Sequence, residues 1–575
     1  MPPFADTQDR IAVPAFTASK SLAGVAGLVN LRDAQAAAHA ADGAARVTGN
    51  PSIVVSWGLA DALRTASGLV TASGDRQPVV ALVAVEPADR AHVVGALKTS
   101  SRTFLDAGNN GLADVADECI EALALRAPVA VLLPDVESLK VGLSALSERL
   151  AAGRPTFESP NLEAVEDLPE VLGELREARK PLILVGHGAA SSSDLEAIAS
   201  LARLWEAPIC VTFGASGMAP DRLEAFVAAC AEDVPVLAAG TVPWTEALAR
   251  ADVILALGSG LSEADWFGLT DARVVRTPVV RVALSPEPEG VADRTVIAEA
   301  GEFAEALRKE LERGGVMTVS GWHDKFTEAR ARWTELVDSE AEKDAQRDRL
   351  TAPLAMREIV SAATANTVFV GEGGASGMWL ASYGWRRPVV IPAQHASIGA
   401  SIAMSVGIRE AAPDRPVWAI VGDGAFFYCD RELAGLAERG QAFTAFVFAD
   451  RSWNAIRLVQ TLFFKRRTVG TDLPSVDYAQ IAEIHGCDAV EVRTPGGLAQ
   501  ALAMAQEQRE RPLVVQINIE KGSIPFVGAN LILAELDGVL TKLLGAMGTS
   551  TLVAATRDFP ALRSNVRVIL GALRK

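Results

Sequence analysis

Short apolar runs, each ended by a glycine, a proline or a polar turn, recur along this chain with alanine-rich stretches between them. The opening third carries Ser52–Trp57, Pro78–Val85 and Pro128–Leu133, the last stopped by Pro134-Asp135. A second set follows: Pro181–Val185 running into Gly186-His187-Gly188, Pro208–Phe213, and Asp252–Leu257 running into Gly258-Ser259-Gly260. A third comprises Thr367–Gly371, Pro388–Pro392, Val417–Val421, Thr444–Ala449 and Leu513–Ile519. Strands that are apolar throughout and alternate with helices predict βαβ units, with parallel sheets covered on both faces.

Two breaks divide the pattern. From Ala151 to about Leu168 the composition turns to Gly153, Pro155, Ser159-Pro160 and acidic residues, which reads as linker. Trp322–Arg349 is charged, with Glu328, Arg330, Arg332, Glu335, Glu340 and Lys343, and predicts a solvated connecting helix. The expected architecture is α/β with three domains, each a mostly parallel sheet flanked by helices, at 1–150, 165–312 and 353–530, with a C-terminal tail at 531–575. The units share a rhythm but no repeated wording, so a duplication relating the first and third stays open.

Composition narrows the class. A chain of 575 residues exceeds what one core organises, and 49% hydrophobic with 22% charged residues excludes disordered or fibrous chains. A net charge of −17 argues against nucleic acid as a partner. No apolar run reaches the roughly 18 residues of a membrane span, and the N-terminus, with Asp6 and Asp9, lacks a signal-peptide pattern. Five dispersed cysteines without a CxxC pair predict neither a disulfide framework nor a structural zinc site, which fits a cytoplasmic protein.

The candidate chemistry gathers in the third set. Val421-Gly422-Asp423-Gly424-Ala425 and Ala449-Asp450-Arg451-Ser452-Trp453 are strand ends whose aspartates lie 27 residues apart, room for one helix between parallel neighbours. The two turns then sit side by side at the carboxyl edge of one sheet. The helix expected at about Asp430–Arg439 presents bare N–H groups, for which phosphate is the natural occupant. Asp423, Asp450 and the backbone carbonyl of Ser452 supply hard oxygens suited to an octahedral Mg2+ that also takes diphosphate oxygens. For Gly422-Asp423-Gly424 alone, a plain tight turn is the competing reading. The turns at Gly186 and Gly258 lack a full GxGxxG and read as tight turns before nucleotide sites.

These segments resemble the thiamine diphosphate (ThDP) enzymes of the acetolactate synthase and pyruvate decarboxylase type. The signature of that family is GDG followed by an Asn-Asn pair, and residues 421–453 follow it with Ala449-Asp450 in place of Asn-Asn. Ala396-Ser397-Ile398-Gly399-Ala400 is similar to the segment whose bulky apolar residue bends ThDP into a V, which makes Ile398 the wedge. RDAQAAAHAADGAARVTG at 32–49 resembles the RHEQAAAHMADGYARATG of the pyrimidine-binding domain, and 180–286 resembles the central domain. Residues 446–467 are most similar to the sulfoacetaldehyde acetyltransferase branch.

The resemblance implies ThDP and Mg2+ as cofactors. It implies a pyrimidine-binding domain first, a central domain, then a diphosphate-binding domain. Asp423, Asp450 and Ser452 would hold the metal; Gly422, Gly424, Ala425, Ser397, Ile398 and Trp453 would surround the cofactor; His395 would face substrate, unless it is a buried hydrogen-bonded histidine. A homodimer or homotetramer is implied, because in this fold the cofactor lies between two chains. The implied reaction makes or breaks a carbon–carbon bond beside the carbonyl of a 2-oxo acid or another donor.

One position departs sharply. The family's catalytic Glu, which bonds N1′ of the aminopyrimidine and helps remove the C2 proton, is Ala34 here. Losing a positioned acid–base group costs about 10²–10⁴-fold, and Asp33 points roughly 100° away on the helix. A working carboligase or decarboxylase, a ThDP-binding paralogue with a regulatory or partner-dependent role, and an acid deliberately exchanged for alanine all remain open. His39 reads as packing or capping. Arg457 and Lys465-Arg466-Arg467 read either as a receiver of an anionic substrate or as a solvated loop. Ser285 stands where relatives that bind a nucleotide in the central domain carry an acid, so none is expected there.

Overall fold

The computed structural model describes residues 11–14 and 28–521 apart from 109–111, 125–126, 136, 153–160, 191–194, 218–219, 231–232, 240, 263–264, 266–276, 285–291, 385, 465–466 and 508–509. The tail at 531–575, the linker residues Gly153, Pro155, Ser159 and Pro160, and Ser285, Lys465 and Arg466 lie outside them.

The apolar runs pair as parallel strands into three six-stranded sheets. The first holds β1 (Ile11–Pro14), β2 (Leu28–Leu31), β3 (Ser52–Trp57), β4 (Val79–Ala84), β5 (Thr103–Asp106) and β6 (Val129–Leu133), in the order β2-β1-β3-β4-β6-β5. The second holds β7 (Pro181–Val185), β8 (Ile209–Val211), β9 (Val236–Leu237), β10 (Val253–Leu257), β11 (Val279–Ala283) and β12 (Arg294–Ile297), ordered β12-β11-β10-β7-β8-β9. The third holds β13 (Val368–Val370), β14 (Val389–Val390), β15 (Val417–Gly422), β16 (Thr444–Ala449), β17 (Asp488–Val492) and β18 (Leu513–Asn518), ordered β14-β13-β15-β16-β18-β17. First and third sheets repeat one strand order, which gives the shared rhythm a structural counterpart.

Each sheet has a point where successive connections leave in opposite directions, the crevice at which open α/β sheets take ligands. In the third sheet it falls between β13, whose chain leaves toward β14, and β15, whose chain leaves toward β16. Gly371-Glu372-Gly373-Gly374 and Gly422-Asp423-Gly424 follow those two strands. In the second sheet the crevice lies between β7 and β10, but its glycine turns close on one another. A Cβ on Gly186 would come 2.5 Å from the Ser259 Cα, and one on Gly188 2.9 Å from the Gly258 carbonyl oxygen. These glycines serve turn-on-turn packing.

Helix α1 (Ala34–Thr48) starts at Asp33, whose side chain accepts from the amides of Gln35 and Ala36, and stops at Gly49 with φ 67°. Helix α2 (Leu59–Gly74) packs beside it. Helix α3 (Trp322–Gln346) is not the solvated connector its charges suggest. It buries Trp322, Phe326, Trp333 and Val337 in the core that the central and third units share, because its apolar residues fall at helical spacing beneath the charged face. Helices α4 (Ala375–Gly384), α5 (Ser401–Ala411), α6 (Glu432–Glu438) and α7 (Asn454–Phe463) flank the third sheet. The helix expected at about Asp430–Arg439 is α6, and a short helical turn at Asp423–Phe426 lies between it and β15.

First and third units join through α1 and α5. A Cβ on Gly43 would stand 2.5 Å from the Met404 carbonyl oxygen, and one on Gly407 1.8 Å from that of Ala40. The two helices therefore touch backbone to backbone and run in opposite directions, with Ala36, Ala40, Ile402, Met404 and Val406 in one continuous core.

Candidate functional site

Parallel pairing of β15 with β16 brings Gly422 opposite Phe448, so the two polar turns emerge together at the sheet edge. Asp423 is buried, and its carboxylate accepts from the amides of Gly424 at 2.8 Å and Arg451 at 2.6 Å. Burial outweighs these amides and pushes its pKa up to about 6. Asp450 and Ser452 are also buried, and both aspartates act electrostatically on the Tyr478 hydroxyl, whose pKa is raised chiefly by burial. Among the described residues no cluster of three or more His, Cys, Asp or Glu could hold a metal by itself. A cation here would draw on the Asp423 and Asp450 carboxylates, the Ser452 backbone and oxygens of its ligand. That donor set fits Mg2+, which keeps water or phosphate oxygens in its shell.

Arg451 has φ 58°, a left-handed conformation that an arginine adopts only where its surroundings impose it. The bond from its amide to Asp423 is one such constraint; another is Leu473 N–H to the Arg451 carbonyl at 3.0 Å. The absent side chain of Gly424 admits the Trp453 indole, which a Cβ would meet at 2.6 Å. Ala425 is buried beneath the turn.

The segment ahead of Ile398 is held at both ends. Arg46, fully buried between Asp42 and Asp75, donates to the Ile391 carbonyl at 3.2 Å, while Asp75 accepts from the amides of Ala393 and Gln394 at 2.9 and 3.0 Å. Ser397 shares a hydroxyl–hydroxyl bond of 2.7 Å with Thr71 on α2, and its carbonyl accepts from Gly373 at 3.0 Å. Ala396 sits at φ 45°, and a Cβ on Gly373 would strike the Ala396 carbonyl oxygen at 1.7 Å. Ile398 itself is half-buried, and Gly399 (φ 75°) packs on Tyr428. His395 is exposed in the single chain and lies against Gly74.

Sequence reasoning missed the turn after β13. Glu372 is buried and accepts from Gly399 at 2.5 Å and Gly422 at 3.2 Å, and Ser376, near the start of α4, faces Gly422. The available signal was Gly371-Glu372-Gly373-Gly374 closing an apolar run, a pattern given weight at Gly422 but not there.

The far region is different. Ala34 is completely buried at the start of α1. Asp33 is committed to capping and to an ion pair with Arg64 at 2.9 Å. His39 is buried with neither ring nitrogen bonded among the described residues, and its pKa falls to about 4, mainly from burial and then from Arg46. Arg457 is paired with Asp472 at 2.7 Å.

Three parallel-sheet domains with this crevice accord with the sequence comparisons: the chain matches "Thiamine pyrophosphate enzyme, N-terminal TPP binding domain" over residues 14–106, "central domain" over 168–308 and "C-terminal TPP binding domain" over 372–517. The chain belongs to this family. Its relatives include the acetolactate synthase large subunit of Corynebacterium glutamicum, 24% identical over 85% of this chain and 79% of that protein. The acetolactate synthase of Mycobacterium leprae is 24% identical over 85% and 80%. The sulfoacetaldehyde acetyltransferase of Roseovarius nubinhibens is 28% identical over 61% of each.

Proposed function

We propose that this protein binds ThDP with Mg2+ at the β13–β15 crevice and makes or breaks a carbon–carbon bond beside the carbonyl of a 2-oxo acid or a related donor. The observation that carries the reading is Asp423, a buried carboxylate whose hydrogen bonds come from backbone amides, beside Asp450 at the switch point of the sheet. Bound there, the cofactor supplies the carbanion chemistry. Asp423, Asp450 and the Ser452 carbonyl hold the metal, the Asp423 and Ala425 amides of the turn and the start of α4 receive diphosphate while the Gly422 and Gly424 amides stay on Glu372 and Asp423, and Ile398 supports the rings.

The site takes two chains. Antiparallel contact of Gly43 with Met404 and of Gly407 with Ala40 puts Ala34 and Ile398 beyond opposite ends of the α1–α5 contact. At 1.5 Å per residue that is roughly 20 Å within one chain, too far for one bent cofactor to touch both. The start of α1 therefore serves the crevice of a second copy in a homodimer or homotetramer. All five cysteines are free and buried, as suits a reducing cytoplasm.

Complete burial of Ala34 supports a second reading, a ThDP-binding paralogue of low activity. The deciding experiment follows C2–H/D exchange of ThDP by NMR, with protein and Mg2+, then turnover of pyruvate with and without sulfoacetaldehyde. Exchange faster than in free cofactor is expected. Exchange no faster than in free ThDP removes the catalytic reading.

A further inference from the structure

Two pieces of the crevice do different work under the proposed function. Ile398 supports the ring system, and Asp423 anchors metal and diphosphate. Their immediate neighbours, Gly399 and Gly422, both donate backbone N–H groups to one side chain, Glu372, at 2.5 and 3.2 Å. One carboxylate thus ties the end of the wedge segment to the start of the anchoring turn.

Glu372 is placed for that task. It follows β13, the strand adjacent to β15, and it is fully buried with no basic side chain paired to it among the described residues. Burial pushes its pKa up to about 8, and the two amides together with the Ser401 hydroxyl only partly offset this. A buried carboxyl with such partners is a costly way to fill space when an apolar residue would pack there. One partner and the residue after Glu372 are also backbone positions with little freedom. A Cβ on Gly399 would lie 2.2 Å from the Tyr428 Cβ, while Gly373, next to Glu372, is pressed on Ala396.

We infer that Glu372 is a positioning residue for the cofactor: by bonding Gly399 and Gly422 it fixes the separation between the Ile398 wedge and the Asp423 anchor. This rests on the ThDP reading above. A ligand spanning both elements feels that separation; a ligand held by the anchor alone does not.

The test compares two ligands on the full-length protein with Mg2+ fixed: ThDP, followed by tryptophan fluorescence, and inorganic pyrophosphate, followed by calorimetry. Glu372→Gln keeps shape but retains one carbonyl acceptor, and is expected to weaken ThDP about tenfold. Glu372→Ala removes both acceptors and is expected to weaken it about 100-fold. Pyrophosphate affinity should stay within about twofold in each. Equal losses for both ligands, or no loss for ThDP, overturn the inference. Should the variants fail to fold, hydrogen exchange of the unaltered protein replaces them. ThDP should slow the Gly399 and Gly422 amides together and pyrophosphate Gly422 alone; a ThDP effect confined to Gly422 overturns the inference. If pyrophosphate binds and ThDP adds nothing in the unaltered protein, the ThDP reading itself fails and takes this inference with it.

Discussion

The two ends of the expected cofactor site are built to different standards. Around β13, β15 and β16, glycines with no room for a Cβ, two non-glycine residues in left-handed conformations and the buried carboxylates of Glu372 and Asp423 converge on one crevice. Strain of this kind survives only where neighbours impose it, which marks the region as pre-organised for a ligand. At the start of α1, the position that carries an acid in the resembled family holds a methyl group, sealed in the core. Nearby polar groups there are spent on structure: Asp33 on capping and Arg64, Glu432 on the Arg32 amide at 3.1 Å.

The largest expected effect tests that contrast directly. Ala34→Glu should accelerate C2 exchange of bound ThDP by about 10²-fold or more if the start of α1 serves a neighbouring chain's crevice. It should also lower stability by about 3 kcal/mol, because a carboxyl is forced into a sealed position. Lower stability with unchanged exchange would place residue 34 purely in the core and favour the low-activity reading.

The anchor is next. Asp423→Asn keeps the volume but removes the charge, and ThDP affinity in Mg2+ should fall at least about 100-fold. Titration with the metal varied checks this, and affinity within threefold of the unaltered protein would sink the assignment of Asp423 to the metal.

How much of this was legible in the sequence depends on the range of the interactions concerned. Strand ends, the Asp423–Asp450 pairing and the three-sheet architecture follow from local periodicity and spacing. The role of Glu372 did not, because its partners lie 27 and 50 residues away and are backbone amides, which carry no residue identity. The packing of Gly424 on Trp453 was not legible either, since Trp453 arrives from the next strand's turn. Helix α3 misled through its charges, which describe only the outer face. The burial of Ala34 likewise depends on long-range packing that a helix's own sequence does not state.

A third expectation concerns the joint between the two regions. Gly407→Ala puts a methyl group 1.8 Å from the Ala40 carbonyl oxygen, so α1 and α5 must move apart. A loss of about 1–3 kcal/mol follows from such overpacking. Thermal melting checks it, and an unchanged midpoint would mean that the joint is looser than its backbone contact implies.

The smallest expected effect asks whether the start of α1 is sealed from water. Glu432, at the head of α6, is buried against the Arg32 amide, and its pKa rises from 4.5 to about 7; burial is the main cause, partly countered by Arg32 N–H and by the charges of Arg32 and Arg431. Its folded pKa lies above its unfolded one, so between about pH 4.5 and 7 the folded state holds a proton that the unfolded state has released. Stability from this group is therefore fully present below pH 4.5 and is lost as pH rises, with a slope of at most about 1.4 kcal/mol per pH unit. Glu432→Gln cannot titrate yet keeps an oxygen for the Arg32 amide. Glu372 and Asp423 also titrate upward of their usual range, but equally in both proteins, and cancel in the difference. The variant should therefore gain on the unaltered protein as pH is raised from 5 to 7, read as a widening gap between their melting midpoints. Parallel curves would mean that Glu432 meets water in the folded state, and the contrast between a sealed α1 start and a pre-organised crevice would lose its basis.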